Sequence, residues 1–468
     1  MDDIKSTATV ELPLDWAQQQ FGKAELGDLR RTRRAVRLAA QMATHPAGSI
    51  PQQTRRWSDT KGAYRLFARD EVTFETLTEP HWRSTRQAAG QRPTVLMVQD
   101  GSQLDYTRHR GLQGVAPVGD GGGRGLMLHS VLAVDPSCGP RGGAAVLGLA
   151  HQQVYRRREV PQGETRVQRK KRQQQARVWL KGVGAVGAPP EGSRWVHVGD
   201  READNFDFFD ACRRMNVGFL VRACQNRRAA LGHGTTEPSA YLMDLARSLE
   251  PMGHKRLYVR RSKNRDPGWV DLAVAAGPVT IFAPWLSGKD AEPVRCWVVR
   301  VWEARPPKGA TPIEWVLACS EPVESLSAAL EVAQWYSYRW LIEEYHKCLK
   351  TGCRVEASQL EEVDRLEALI GMLCVVGVRL LQLKQQARLD PDRPAEECVS
   401  GDHVRMVAAY FKEPFEQMSV YTFWRLVGRL GGFLARRGDG EPGWQALWRG
   451  WQQLDLMTLG ANLREDLA

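Results

Sequence analysis

Two short apolar runs, each followed by an aspartate, constrain the fold of this chain more than any other feature. TVLMVQDG places residues 95–98 ahead of Asp100, and SRWVHVGD places residues 195–198 ahead of Asp200. Runs of this length that end near a glycine are typical of fully buried strands. A carboxylate just past such a strand lies where open α/β sheets bind their ligands. Taken singly, each aspartate is explained as well by a turn or a helix N-cap, but together the runs predict an α/β core.

The stretch QWYSYRWLIEEYHKCLKTG carries a spaced quartet of side chains, Tyr336, Arg339, Glu343 and Lys350. At about 100° per residue, the four fall within roughly 60° of one another on one face of a regular helix. Alone the pattern is ordinary, because Arg339 and Glu343 form an i,i+4 ion pair that many exposed helices carry. Beside the two aspartates, however, Glu343 becomes a third acid and the other three become phosphate-binding groups. Glu344, offset by roughly 80° from Tyr336, is the less favoured acid.

Three acids in one place predict a metal site. Converging carboxylates repel one another unless a cation neutralises them, and a few hard oxygen ligands suit Mg²⁺ or Mn²⁺. Two such ions flanking a phosphate activate a water or a 3′-hydroxyl and stabilise the leaving oxygen. We therefore expect Asp100, Asp200 and Glu343 to carry metal-dependent phosphodiester chemistry.

The charge of the chain favours a polyanionic partner. Its 468 residues include 65 Lys and Arg against 54 Asp and Glu, a formal net charge of +11, although positive charge alone indicates only non-specific attraction. The nine cysteines include no C-x2-C pair, which favours reduced thiols in a cytoplasmic protein over zinc or disulfides. The N-terminus lacks the pattern of a signal peptide. The longest apolar stretch, residues 368–378, is shorter than the roughly 20 residues of a membrane span, so it predicts a buried helix and no membrane contact.

The first half of the chain divides into a helical part and a strand-rich part. Residues up to about 75 predict helices, one of which begins near Asp28 and carries five arginines within eight positions. That run is either a solvated face or an anion-binding surface. From about 94 to 230, strands alternate with helices. The very basic segment 154–179 in this part is either a solvated surface or the lining of a DNA channel.

The second half begins with a block of strands at about 232–320, separated by Gly, Pro and Asp turns. Because this block lies between the second aspartate and the quartet, we interpret it as an insertion. The remainder is predicted to be helical. Trp444, Trp448 and Trp451 follow the i, i+4, i+7 spacing of a core or subunit-contact stripe.

A series of short motifs extends the pattern along the chain in order: ELGDLRRTRR, KGAYRLF, HSVLAV, GDREAD, FLVRA, EWVLACSEPVESL, YSYRWLIEEYHKCLKTG, VRLLQL and LGGF. With Asp100, Asp200 and the quartet, these motifs resemble the DDE transposases of the bacterial insertion-sequence-four family. The resemblance covers nearly the whole chain, and a four-residue spaced signature with two ordered aspartates is specific.

The resemblance implies an α/β fold with an RNase H-like catalytic core and a β-rich insertion, flanked by an N-terminal helical DNA-binding domain and a C-terminal helical dimerisation region. The implied bounds are 1–75 for the DNA-end-binding domain, 76–385 for the catalytic domain with its insertion at about 232–320, and 386–468 for the dimerisation domain. It also implies that Asp100, Asp200 and Glu343 are catalytic and bind two Mg²⁺ ions, for which Mn²⁺ can substitute.

The resemblance implies further DNA-binding residues, namely Tyr336, Arg339, Lys350, Trp315, Trp340, Arg222, Arg30, Arg65 and Lys347. The three signature residues among them would hold phosphates beside the cleavage point. Trp315 would stack on a base flipped out of a DNA hairpin, a contact worth about 1–3 kcal/mol, and Trp340 and Arg222 would support the same strand end. Arg30 and Arg65 fall in segments that bind the transposon end. Trp315 is otherwise explained as a core residue of its strand.

One departure from the family follows the first aspartate, where Gly101 and Ser102 stand in place of the usual hydroxyl residues. Glycine costs backbone entropy in a strand. The acids are all retained, so we expect the departure to affect the rate of reaction.

The resulting expectation is a cut-and-paste DNA transposase. It would act as a homodimer on double-stranded transposon ends and target DNA, in the cytoplasm and associated with the nucleoid when bound. Two alternatives stay open: a metal-dependent endonuclease of the same fold that cuts without joining, and a DNA-binding protein that has lost its chemistry. An RNA-binding protein is disfavoured because no RNP or KH signature is present.

Overall fold

A computed structural model describes residues 13–119, 121–138, 143–157, 163, 165, 168, 174–259, 265–284, 291–307, 309–436 and 438–465. The central part of the basic segment 154–179, which the sequence assigns to a solvated surface or a DNA channel, lies outside these residues. Its first residues end a strand and its last residues begin a helix.

From residue 13, where the description starts, helices follow one another as predicted: α1 (Pro13–Phe21), α2 (Leu29–Thr44), α3 (Ile50–Thr54), α4 (Trp57–Phe67) and α5 (Phe74–Ala89). Asp28 is the N-cap of α2, as expected, and its side chain accepts a hydrogen bond from the Arg30 N–H at 2.7 Å. The alanines of α2 are buried against its neighbours together with Leu38, whereas Leu29 is 73% exposed and most of the arginines face outward. Helix α5 then leads onto the sheet.

The catalytic core is built on the strands β1 (Thr94–Asp105), β2 (Ala116–Val118), β3 (Gly123–Cys138), β4 (Gly143–Tyr155), β5 (Arg194–Gly199) and β6 (Gly218–Arg222). Five of them lie in the order β4-β3-β1-β5-β6, and the short β2 pairs with β3. Strands β1, β5 and β6 are parallel, whereas β3 and β4 are antiparallel to their neighbours. This arrangement is RNase H-like and confirms the predicted fold class.

The first aspartate lies inside a strand, whereas the sequence placed it just past one. The parallel pairing of β1 with β5 ends at Val98 opposite Val198, but antiparallel pairing with β3 continues to Asp105, so Asp100 pairs with Ser130. Only the second aspartate follows its strand directly, after Gly199. Both acids nevertheless lie beyond the end of the same parallel ladder.

The second block of strands extends the same sheet: β7 (Arg228–Leu231), β8 (Ala240–Tyr241), β9 (Gly253–Val259), β10 (Gly268–Ile281), β11 (Val294–Glu303) and β12 (Glu314–Cys319). Strand β12 pairs with β6, with Leu317 opposite Arg222, and β11, β10, β7 and β8 follow outward. Within the described residues the twelve strands therefore form one sheet, and the insertion is continuous with the core.

Helices cover both faces of the core. One face carries α6 (Gln174–Val186) and α7 (Phe206–Arg214), and α8 (Leu242–Ser248) lies against the outer strands. The other face carries α9 (Leu326–Ser337), α10 (Trp340–Lys347), a π-helical turn (Cys348–Gly352) and α11 (Val363–Leu389). Short 3₁₀ turns occur at Arg201–Ala203, Val355–Ala357 and Ala395–Glu397.

The quartet does not lie on one regular helix, so the prediction of a single helical face is wrong. After Ser337 the backbone tightens: the N–H groups of Tyr338 and Arg339 bond to carbonyls only three residues back. A new helix, α10, then begins at Trp340, and it changes to π-helical geometry at Cys348. Tyr336, Glu343 and Lys350 consequently belong to three different helical segments.

Helix α11 confirms the predicted buried helix but is much longer than the stretch 368–378. Its part Val363–Gln385 has a mean hydropathy of 1.9, so by length and composition it could cross a membrane. It is 89% buried within the protein, packing against α5 and β4. The core helix of a soluble protein passes the same test, so this is weak evidence for a membrane span.

The last described elements are the helices α12 (Gly401–Phe411), α13 (Val420–Leu430) and α14 (Trp444–Glu465). Trp448 and Trp451 are buried, and Trp451 stacks on Trp424 with ring centroids 5.4 Å apart. The predicted tryptophan stripe is therefore a core stripe at these two positions. Trp444, at the start of α14, is only half-buried.

Candidate active site

The first two acids meet at the edge of the sheet between β1 and β5. Side chains alternate along a strand, so Asp100 lies on the same face as Leu96 and Val98, the face that α10 and α11 cover. Burial, followed by the nearby charge of Asp200, raises the pKa of Asp100 from 3.8 to about 7. The Gly101 N–H donates to Asp100 Oδ1 at 2.7 Å, which partly offsets this effect. The two carboxylates are thus close enough to repel each other.

Asp200 combines two of the roles proposed for it. It is the N-cap of the 3₁₀ turn that follows β5, and its Oδ1 accepts the Glu202 N–H at 2.8 Å. The capping explanation is therefore correct, but it does not exclude the chemical one. Only one of its oxygens is used by the cap, and the carboxylate still acts on Asp100.

Glu343 enters the site from α10, which packs across β1. Arg339 joins it to the first acid: Nη2 donates to Glu343 Oε1 at 2.6 Å, and Nη1 lies 3.8 Å from Asp100 Oδ2. The ordinary i,i+4 ion pair is therefore present, and its guanidinium also contacts a second acid. This bridge brings the third acid to the edge where the two aspartates lie.

The acids fit a divalent cation by their chemistry. Three carboxylates are hard oxygen donors, and the negative charge of Asp200 adds to burial in raising the pKa of Asp100. Arg339 supplies one positive charge. As arranged, no group of three or more His, Cys, Asp or Glu side chains in the described part of the chain is close enough to hold an ion. The Arg339 guanidinium thus lies between two of the three donors predicted from the sequence, Asp100 and Glu343.

An aromatic and arginine cluster borders the acids. Trp315, at the start of β12, lies edge-on to Tyr336 with ring centroids 5.3 Å apart. Burial raises the pKa of Tyr336, and Arg222, Arg339 and Asp200 are all close enough to act on its hydroxyl. The Arg222 guanidinium also donates to the Glu314 carbonyl at 3.0 Å. Trp315 is half-buried against the core, so its strand-core interpretation stays open.

The remaining predicted DNA contacts lie farther along the surface. Trp340 is 49% exposed, and Lys347 Nζ lies 4.3 Å from the centre of its ring. Lys350 Nζ is 3.5 Å from Glu356 Oε1, so the π-helical turn directs it toward the far end of β1, where Glu356 accepts the Asp105 N–H. These cations are therefore spread along an edge next to the acids.

Arg30 and Arg65 are both exposed, on α2 and α4 of the N-terminal helices. Two neighbouring arginines of α2 form ion pairs within the protein: Arg31 pairs with Glu71 at 2.9 Å, and Arg37 pairs with Asp59 at 2.8 Å. The arginine run is thus a mixture of internal ion pairs and free surface charge.

A row of buried, hydrogen-bonded polar side chains lies beneath the acids, and the sequence patterns did not predict it. Gln99 Nε2 donates to His197 Nδ1 at 2.7 Å, and His129 Nε2 donates to Gln99 Oε1 at 2.9 Å, which ties β5, β1 and β3 together. Burial lowers the pKa of each histidine to about 3, so both rings are neutral. The sequence signal for this row is the presence of a polar residue inside each of three otherwise apolar strands.

A second missed feature lies beside Glu343. Glu344, the disfavoured acid, forms an ion pair with Lys384 of α11 at 2.8 Å, and both side chains are largely buried. The sequence gives no hint of this partner, because 40 residues separate the two. Glu344 is therefore engaged in a structural pair, in keeping with the preference for Glu343.

Comparison with known families identifies three successive domains. The family described as Transposase DNA-binding matches residues 13–72, Transposase DDE domain matches 189–377, and Transposase Tn5 dimerisation domain matches 375–466. The DDE match contains Asp200 and Glu343, whereas Asp100 precedes it. Together the three matches cover more than half of the chain, and they make DNA and a second copy of the chain its partners. DDE domains generally use divalent metals. The chain therefore carries the DNA-binding, DDE and Tn5-type dimerisation domains of a DNA transposase.

Proposed function

We propose that this transposase moves DNA by a cut-and-paste route and is related to the transposase of composite transposon five. It binds the terminal repeats, pairs two ends as a dimer, frees their 3′ ends through a hairpin intermediate and joins them to target DNA. The observation that carries the proposal is that Asp100 feels the charge of Asp200 and shares the Arg339 guanidinium with Glu343. The reaction takes place in the cytoplasm, on the nucleoid.

The three acids would hold two Mg²⁺ ions, or Mn²⁺ in their place. When bound, the ions activate a water or 3′-hydroxyl and stabilise the leaving oxygen. Asp100 must release its proton to act as a ligand, and its pKa of about 7 makes that release incomplete at neutral pH. Arg339 compensates part of the negative charge until the acids are engaged, and its guanidinium is then available to a phosphate.

Hairpin formation is supported by the aromatic cluster. A hairpin bends the DNA end so tightly that a base must leave the stack, and an exposed aromatic face stabilises such a base. Trp315 is partly accessible, lies against Tyr336 and is flanked by Arg222. Trp340, exposed on α10 with Lys347 over its ring, is placed to support the same strand end.

Phosphate and end binding would fall to the spread of cations. Arg339, just before α10, pairs with the third acid, whereas Lys347 ends α10 and Lys350 lies on the π-helical turn beyond it. Arg30 and Arg65, exposed on the N-terminal helices, would hold the transposon end.

A cleavage assay on DNA that carries the terminal repeats flanking the coding sequence tests the proposal. Wild-type protein with Mg²⁺ is expected to yield nicked, hairpin and joined products in that order. Asp200→Ala is expected to abolish all three, whereas Glu202→Gln, which removes an exposed acid from the same turn, is the matched control and should retain them.

Each failure has a distinct meaning. Equal cleavage by Asp200→Ala and wild type contradicts the assignment of the acids. Cleavage without joined product indicates an endonuclease of the same fold. Binding without cleavage in Mg²⁺ indicates a protein that has kept DNA recognition and lost its chemistry.

A further inference from the structure

The segment that follows the third acid is held by two side chains from the C-terminal part of the chain. The indole N–H of Trp444 donates to the Glu344 carbonyl at 3.2 Å, and Lys384 Nζ donates to Glu344 Oε1 at 2.8 Å. The Lys384 ammonium also lies 5.3 Å from the centre of the Trp444 ring. One residue next to Glu343 is thus fixed through both its backbone and its side chain.

This contact coincides with the change from α- to π-helical geometry. The Cys348 N–H reaches the carbonyls of both Glu344 and Tyr345, and the Cys353 N–H then bonds five residues back to the Cys348 carbonyl at 2.8 Å. Side chains inserted at a helix carbonyl are an established cause of helix irregularity, and π turns are frequent at functional sites. The Trp444 N–H inserts at the junction itself.

The junction separates two residues of the quartet. Glu343 lies on α10 just before it, and Lys350 lies on the π-helical turn just after it. A regular helix would rotate Lys350 to another direction, away from the end of β1 that it now faces. The junction therefore sets the direction of Lys350 relative to Glu343.

The ion pair at the junction contributes more to the relative orientation of the two helices that it joins than to the stability of the fold. The side chains of Lys384 and Glu344 are only 8% and 13% exposed, and a buried pair gains little over apolar packing once desolvation is counted. What such a pair does provide is a fixed arrangement of the elements that carry it. Here those elements are α10, beside its acid, and α11.

We propose that Trp444 and Lys384 are positioning residues, which orient Glu343 for metal binding and Lys350 for phosphate binding. Both lie inside the residues 375–466 that match the dimerisation domain, so the region that pairs two subunits also sets the geometry of the active site. This inference rests on the proposed function, because it assigns Glu343 and Lys350 their roles. Groups that orient metal ligands are typically worth 10–100-fold in metal affinity or activity.

The test compares Trp444→Phe, which keeps the ring but removes the N–H, with Trp448→Phe, the same change one turn along α14. Mn²⁺ affinity is measured without DNA, from the electron paramagnetic resonance signal of free Mn²⁺. Single-turnover cleavage of end DNA is measured as a function of Mn²⁺ concentration, well below the melting temperature of each variant. Asp200→Ala is included as a variant of the metal site.

Trp444→Phe is expected to weaken Mn²⁺ binding about tenfold and to raise the Mn²⁺ concentration for half-maximal cleavage by a similar factor, while Trp448→Phe changes neither. Lys384→Met is expected to act in the same direction, and Lys384→Arg to recover part of the loss. A purely structural role for Trp444 would lower the melting temperature without changing the Mn²⁺ dependence, and that result would overturn the inference.

The proposed function fails in a different way. If Asp200→Ala binds Mn²⁺ and cleaves DNA as wild type does, the metal site itself is wrongly assigned and the positioning role falls with it. If Asp200→Ala loses both properties while Trp444→Phe and Trp448→Phe match wild type, the metal site stands and only the positioning role is refuted.

Discussion

Replacing Asp100 by asparagine should change the pH dependence of stability in a calculable way. The folded protein holds the Asp100 proton with a pKa of about 7, against an ordinary value of 3.8 for the unfolded chain. Below pH 3.8 both states are protonated and the stabilising effect of the bound proton is complete. As the pH rises the unfolded chain loses its proton first, so stability falls until the folded protein has also released its proton, above about pH 7.

The size of the effect follows from the difference between the two pKa values. Roughly three pH units at about 1.4 kcal/mol per unit give a loss of about 4 kcal/mol by pH 8, of which about 2 kcal/mol falls between pH 5 and pH 7. Asparagine has no proton to lose, and its side-chain oxygen can still accept the Gly101 N–H that Asp100 now accepts. The free energy of unfolding of the variant, relative to that of wild type, should therefore increase as the pH rises.

Thermal unfolding without divalent cations measures this increase in the stability of Asp100→Asn relative to wild type. For a cooperative unit of 150–250 residues, about 2 kcal/mol corresponds to roughly 4–8 °C, so the melting temperature of Asp100→Asn relative to wild type should rise by that amount from pH 5 to pH 7. Asp271→Asn is the matched control, because Asp271 is an exposed strand acid, and its difference from wild type should stay nearly constant. A constant difference for Asp100→Asn as well would refute the raised pKa of Asp100 and the burial and neighbouring Asp200 charge that cause it.

Three further substitutions test other parts of the site. Gly101→Ser should be tolerated, because a Cβ at Gly101 meets no atom within 4 Å; its melting temperature should match wild type, and cleavage should be equal or faster. Gln99→Leu leaves two buried imidazoles each short of a hydrogen bond, so unfolding experiments should show a loss of about 3 kcal/mol. Arg339→Met removes the cation that competes for two acids. Mn²⁺ binding at pH 8 should then tighten several-fold, while DNA cleavage falls by about 100-fold because a phosphate contact is lost.

The sequence predicts those features that depend on neighbouring residues. The apolar run before Asp200 and the glycine that ends it are local, and the acid follows its strand as expected. Asp100 was misplaced because the length of β1 is set by β3, a distant partner whose pairing continues to Asp105. In the same way α11 exceeds its uninterrupted apolar stretch because the protein also buries charged residues beyond it, such as Arg379 and Lys384.

The quartet shows most clearly which structural features a local sequence pattern cannot predict. Its spacing fits one helical face, and it does gather an acid and three DNA-binding candidates in one region, yet the helix is interrupted at Tyr338 and changes again at Cys348. The second change is accompanied by a hydrogen bond from Trp444, 100 residues away along the chain. No periodicity within the segment encodes such a partner, so the directions of its side chains could not be derived locally.

The continuity of the sheet gives the insertion a protective role. In a core without it, β6 would be an edge strand, and the backbone N–H and C=O groups of Gly218–Arg222 that now pair with β12 would face solvent. Such an edge, flat and apolar, is a template for pairing with other chains. Removal of the outer strands would therefore leave β6 as an unpaired strand edge next to the acids. A shortened enzyme would be prone to aggregate through that edge. A shortened variant must accordingly keep the strand that covers β6.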